Sequence, residues 1–163
     1  MKVHPISFKG VPKNYAVIND TLSRSAQPKK EDFVWLKEHG VTDIINFRTM
    51  FVAGVDYDEK TLVEKLGMKY HNIPSITKEP KEENIREFLN IVENVKSKGG
   101  KTHIHCKAGA DRTGMYAFIY KVLHGLGTIA ENETEWIAKG HDIELYPNLR
   151  AQAKELLSKF IRK

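Results

Sequence analysis

Ten consecutive residues, His105-Cys106-Lys107-Ala108-Gly109-Ala110-Asp111-Arg112-Thr113-Gly114, put a thiol near one end of a short loop and a guanidinium near the other. Successive backbone N–H groups in a tight loop that opens a helix converge on one point, and the helix dipole adds positive potential there. Such a point favours a phosphate dianion. Gly109 lets the backbone curl, so Lys107, Ala108, Gly109 and Ala110 are expected to cradle the anion, with His105 orienting the loop. The same field favours thiolate over thiol, so the nucleophile Cys106 and the anion cradle coincide. Arg112 is suited to hold two phosphoryl oxygens bidentately during a loose in-line transfer, a planar geometry that lysine does not reproduce. Cys106 is the single cysteine of the chain. With no partner for an internal disulfide and no companion thiols for a zinc site, it is either a small buried hydrophobe or a reactive thiol. Gly, Arg and Thr-Gly at these offsets point to the reactive thiol.

A strand must deliver this loop and a helix must follow it. β-rich runs occur at 15–18, 21–25, 43–47, 69–73 and 102–105, with helical patterns between most of them. The alternation predicts an α/β fold, a mostly parallel central sheet flanked by helices. Pro28 stands at an expected first helical position, Phe33 and Leu36 follow three apart, and Gly40 is the stop signal. Over 82–98, Ile85, Phe88, Leu89, Val92 and Val95 make one stripe before Gly99 and Gly100. The stretch 113–126 is apolar on several sides, which predicts a central helix buried on most faces, and shorter helices are predicted over 129–139 and 148–161. No repeat or Pro/Ser-rich linker divides the chain, so residues 1–163 are expected to form one domain.

His-Cys, five intervening residues and Arg-Thr-Gly together resemble the HCxxGxxR(S/T)G signature of the protein tyrosine and dual-specificity phosphatase superfamily. Upstream, residues 23–28 (Ser-Arg-Ser-Ala-Gln-Pro) and 40–48 resemble the opening strands of compact bacterial and fungal dual-specificity-type phosphatases, so the resemblance spans roughly residues 20–127. It implies a cysteine-dependent phosphomonoesterase that forms a covalent phosphocysteine on Cys106, stabilised by Arg112 and the loop amides. A Thr113 hydroxyl that bonds the thiolate and eases its departure is implied too, and neither a metal nor another cofactor is required.

Expelling an alkoxide needs a proton more than expelling a phenol does, since a phenol has a pKa near 10. In dual-specificity phosphatases the donor is usually an Asp on the loop after the strand matching 69–73, but here residues 74–80 read Pro-Ser-Ile-Thr-Lys-Glu-Pro, with Thr77 roughly where that Asp would fall. Asp111, inside the loop, resembles the loop acid of myotubularin-type lipid phosphatases and of a group of bacterial phosphatases with lipid activity. It is one candidate donor and Glu79 is the next. Asp111 could instead pair with a neighbouring cation or cap the following helix.

Lys107 makes Cys-Lys-Ala-Gly, similar to the loop of phosphoinositide 3-phosphatases, where added positive charge suits a substrate with several phosphates. Arg48, at the end of a strand where α/β sheets place their sites, would widen a basic rim, and Lys78 and Lys81 are further candidates. The expected substrates are inositol polyphosphates or phosphoinositides, a phosphorylated small molecule or lipid headgroup, with phosphoproteins as the alternative. A net charge of +5 favours anionic partners, yet no block of Lys and Arg resembles a nucleic-acid-binding arm, so nucleic acid is not expected. No run approaches the roughly 18 apolar residues of a membrane span. The opening MKVHPISFKG lacks an apolar signal core. A cytoplasmic monomer is therefore expected, with a secreted or periplasmic location only if a signal segment was removed. A rhodanese-like sulfurtransferase and a non-catalytic phosphate-binding module are the rival readings of the loop. Three other patterns are set aside: Gly99-Gly100-Lys101-Thr102 lacks the first glycine of a Walker loop, His103 and His105 have no second ligand cluster, and Asp56 and Asp58 read as a solvated turn.

Overall fold

The computed structural model describes residues 10–49 and 55–161. Five four-residue strands, β1 (Ala16–Asn19), β2 (Leu22–Ser25), β3 (Asp43–Asn46), β4 (Lys69–Asn72) and β5 (Thr102–His105), form one sheet in the order β1-β2-β5-β3-β4. The β1/β2 hairpin is antiparallel and the other pairings are parallel. Register decides where the chemistry lies. Ser25 of β2 and Asn46 of β3 both stand opposite His105 of β5, so three neighbouring strands end on one rung. The chain segments that leave that rung carry Gln27, Arg48 and Cys106, at the carboxyl edge where α/β sheets bind ligands.

Alternation along the strands sends apolar side chains to both faces. On one face Ile44 packs with Phe33 and Leu36 of α1 (Lys30–Glu38) and Val63 of α2 (Glu59–Lys65). On the other, Ile45 and Ile104 pack with residues of α3 (Glu82–Ser97), α4 (Arg112–Leu123), α5 (Ile129–Ala138) and α6 (Leu149–Ile161). The expected stripe on α3 is seen, with Ile85, Phe88, Val92 and Val95 buried. α4 is buried continuously from Thr113 to Tyr120, as a helix enclosed by three others and the sheet must be.

One local expectation is corrected and another is extended. α1 begins at Lys30 with Lys29 as its cap, and Pro28 precedes the cap. The Asp32 carboxylate accepts from the Lys29 N–H at 2.8 Å and so stabilises that start. The solvated turn expected around Asp56 and Asp58, both exposed, also opens α2, where Asp58 accepts from the Thr61 N–H at 3.1 Å as an N-cap. The opening segment 1–9, on which the localisation reading rested, lies outside the described residues. Among the described residues no helix is long and apolar enough to cross a membrane.

Candidate active site

β5 ends at His105, the chain turns through Cys106 to Asp111, and α4 begins at Arg112. The surrounding scaffold holds the carbonyls of this turn one by one. The carbonyl of Cys106 faces His105 Nδ1 at 3.1 Å, and that of Lys107 accepts from the Gln27 N–H at 2.9 Å. Gly109 O accepts from Arg24 Nη2 at 2.7 Å, and Ala110 O accepts from Trp136 Nε1 at 3.0 Å. In a planar trans peptide the next N–H points opposite to the carbonyl, and no cis bond occurs among the described residues. The N–H groups of Lys107, Ala108, Ala110 and Asp111 are therefore turned away from these partners, to the side where an anion can be met. Two glycines permit this. Gly109 has φ +71, and a Cβ there would lie 2.4–2.5 Å from the backbone of Ser25 and Ala26. A Cβ on Gly114 would lie 2.3 Å from the Trp136 indole, so its absence lets α5 bring that indole to Ala110.

Cys106 is 2% exposed at the mouth of α4. Its neighbour His105 is fully buried, with Nε2 2.6 Å from Glu59 Oε2. Nδ1 faces the Cys106 carbonyl and Nε2 faces the Glu59 carboxylate, so both ring nitrogens are held. Glu59 Oε1 accepts from Gln27 Nε2 at 2.8 Å, and Gln27 Oε1 accepts from Arg48 Nη1 at 3.0 Å. A chain of bonds thus ties the nucleophile loop, through α2, to Arg48. Burial and then the like charge of Arg112 lower the pKa of Arg48, while Cys106 and Glu59 act in the opposite sense. Arg48 thus lies within electrostatic reach of both ends of the loop. Phe47, stacked on Tyr116 at 3.8 Å, fixes the backbone just before it.

Arg112 is half-buried and donates from Nη1 to Ser75 O at 3.4 Å. Ser75 is positioned in turn. Its hydroxyl donates to Ile73 O, so the Tyr116 hydroxyl, 2.7 Å away, is left to donate to Ser75 Oγ. Thr113 is fully buried and, among the described residues, its Oγ1 has no hydrogen-bond partner. The bond to Cys106 that the resemblance implies is not formed here, yet a buried hydroxyl without a partner costs about 1–3 kcal/mol, the kind of cost that a functional site retains. Among the described residues, Asp111 neither caps α4 through its side chain nor forms an ion pair with a lysine or arginine. Its Oδ1 accepts from His141 Nδ1 at 2.7 Å and from the Asp142 N–H at 2.9 Å. Glu79 is exposed on the 74–80 loop, and among the described residues it bonds no residue of the nucleophile loop. Lys107 and Ala108 are exposed, whereas Gly109 and Ala110 are buried. Lys78 stands apart from Arg48, lining a pocket with Thr77, Tyr146 and Gln152, and Lys81 precedes α3. His103 is no ligand candidate: the Ser23 and Ser25 hydroxyls hold its ring at 2.8 and 2.7 Å.

Arg24, Glu59, Trp136 and His141 were not singled out as site residues in the sequence. Glu59 is the most informative of them. Glu59→Gln is expected to lower kcat/KM about tenfold and to slow alkylation of Cys106 by iodoacetamide, because the carboxylate contact that sets the His105 ring is replaced by a neutral amide. Unchanged alkylation with only a lower melting temperature would show that Glu59 serves stability alone.

A family model for polymorphic toxin system DSP-PTPase phosphatases matches residues 20–126. Dual specificity protein phosphatase CDC14B of Mus musculus is 36% identical over 131 residues, 75% of this chain and 25% of its own length. Inositol diphosphatase DSP2 of Oryza sativa subsp. japonica is 30% identical over 117 residues, 63% of this chain and 50% of its own length. The chain therefore spans only a quarter to a half of these relatives. Among solved structures, a putative phosphatase (DUF442) from Shewanella putrefaciens CN-32 superposes with a TM-score of 0.76 at 27% identity, covering 91% of each chain. The chain belongs to the DSP-PTPase phosphatases, the dual-specificity branch of the protein tyrosine phosphatase superfamily.

Proposed function

We propose that the chain hydrolyses phosphate monoesters through a phosphocysteine on Cys106, acting on substrates that carry several phosphates, inositol polyphosphates or phosphoinositides. The observation that carries the reading is the loop whose carbonyls are engaged by His105, Gln27, Arg24 and Trp136, leaving its amides for a dianion over Cys106. Cys106 Sγ attacks phosphorus in line, the P–O bond to the leaving group breaks, and Arg112 with the loop amides holds the equatorial oxygens. Asp111 supplies the proton to the departing oxygen, from Oδ2 since Oδ1 is occupied by His141 and the Asp142 amide. Water then attacks the phosphocysteine, Asp111 takes its proton, and phosphate leaves while the Thr113 hydroxyl eases departure of the thiolate. The preference for several phosphates is supported by Arg48 and Lys107, which line an open basin of about 490 Å³ beside the nucleophile loop. A relative named as an inositol diphosphatase accords with it.

The test is phosphate release from inositol hexakisphosphate, phosphoinositides and phosphotyrosine peptides, with Cys106→Ser as control. Strong preference for the peptides over every inositol phosphate would sink the substrate assignment and favour a phosphoprotein phosphatase. The acid is tested separately. Asp111→Asn should lower kcat on an alkyl phosphate about a hundredfold, with a smaller loss on an aryl phosphate. A general acid must be protonated to act, so the basic limb of the pH–rate profile should flatten. If both the rate and the bell shape survive, Asp111 is not the donor and Glu79→Gln is the next variant to assay.

A further inference from the structure

The basin of about 490 Å³ holds more positive charge than the nucleophile loop accounts for. Besides Arg48 and Lys107 it is lined by Lys13, Lys29 and Lys30, three cations that the sequence reading did not place near the site. The backbone fixes their neighbourhood. Ala26 N–H donates to Lys13 O at 2.8 Å and Gln27 N–H donates to Lys107 O at 2.9 Å, so Lys13 and Lys107 are tied to the two successive residues that follow β2. Lys29 and Lys30 come next, at the start of α1, whose N-terminal amides add positive potential. Three acids share the lining, Glu31, Asp32 and Asp56, but Asp32 is committed to the Lys29 N–H, so cations dominate. The volume lies within the range of small-molecule sites.

We propose that this basin is a second phosphate subsite, which binds a phosphoryl group of the substrate other than the one that Cys106 attacks. The ligand chemistry is a phosphorylated inositol ring, whether free or as a lipid headgroup. The assignment rests on the phosphomonoesterase reading above and names the part of the site that selects the substrate. Arg48 joins the two positions: it lines the basin and donates to Gln27 Oε1 at 3.0 Å, and the Gln27 N–H in turn holds the Lys107 carbonyl of the nucleophile loop. One phosphoryl group enters the loop while a second is met by lysines that take no part in the chemical step.

The test replaces Lys13, Lys29 and Lys30 together by alanine. The backbone N–H of residue 29 remains to bond Asp32, so the start of α1 is preserved, and a melting curve verifies this. Hydrolysis of para-nitrophenyl phosphate and its inhibition by orthophosphate should stay within about twofold of the parent, because both read the nucleophile loop alone. Inhibition by inositol hexakisphosphate should weaken about tenfold and lose much of its salt dependence, as expected when exposed cations are removed. Phosphatidylcholine vesicles carrying a phosphatidylinositol trisphosphate make up the second arm. A loss on soluble inositol hexakisphosphate only assigns the subsite to free inositol phosphates, and an equal loss on vesicles extends it to lipid headgroups. Unchanged inhibition by inositol hexakisphosphate overturns the proposal, as does an equal loss on a phosphotyrosine peptide with one phosphate. If the parent protein turns over no inositol phosphate or phosphoinositide, the substrate reading fails, while the inhibition data still decide whether the basin binds a second phosphoryl group.

Discussion

Replacing Arg112 by lysine is expected to lower kcat/KM about a thousandfold while leaving the melting temperature within a few degrees of the parent. The reason is geometric. The guanidinium is half-buried at the start of α4, and its Nη1 is anchored on Ser75 O, a carbonyl whose residue is itself locked to Ile73 and Tyr116. From that anchorage a planar fork can meet two oxygens of a transferring phosphoryl group, and lysine offers one point charge on a flexible stem. Lysine keeps the positive charge, so an effect of Coulomb attraction alone would survive the change. Steady-state kinetics on para-nitrophenyl phosphate decide it: a fall of less than tenfold would mean that Arg112 contributes charge and not orientation.

Gly109→Ala should be strongly destabilising. Two costs combine there. A residue with a side chain at φ +71 pays about 1–2 kcal/mol, and the added Cβ would stand 2.4–2.5 Å from main-chain atoms of Ser25 and Ala26. Those atoms belong to the end of a strand in the middle of the sheet, not to a side chain that can swing aside. The expected outcome is destabilisation of at least about 3 kcal/mol, or roughly 10 °C in melting temperature, with phosphatase activity lost even in the fraction that folds. Moving the loop off Ser25 would break the bond from Arg24 to Gly109 O and turn the neighbouring amides. A variant that melts like the parent and keeps its turnover would show that the loop adapts, and the cradle described above would need another origin.

The nucleophile loop was legible in the sequence because its chemistry is contiguous: thiol, glycine and guanidinium lie within one short span, and the flanking β-rich run and apolar stretch say how they are presented. The helices with long stripes were legible for the same reason. α2 was not. It has seven residues, of which only Glu59 and Val63 are buried, too short a stretch for a 3.6-residue period to stand out. Missing α2 meant missing Glu59, whose partner His105 is 46 residues away. Arg24 is separated from Gly109 by 85 residues and Trp136 from Ala110 by 26, and no spacing rule connects them. In the sequence Arg24 lies only in a stretch that resembles an opening strand. Its burial lowers its pKa, a cost that only its place under the loop explains. The basic rim was half legible: Arg48 follows from the strand-end rule, but Lys78 points to a different pocket, and Lys13, Lys29 and Lys30 take the place expected for it. The acid reading of Asp111 was possible from its position in the loop, whereas its anchorage by His141 depends on the turn after α5.

Because β2, β3 and β5 finish level with one another, the chain segments that leave them open onto a shared ledge. Under the proposed function, the segment leaving β5 breaks the bond, and those leaving β2 and β3 help to decide which molecules are brought to it. A laboratory could therefore exchange the exposed side chains at 29 and 30 for those of a cousin with other tastes and leave the loop at Cys106 undisturbed, so long as Gln27 and Glu59 keep their grip on each other.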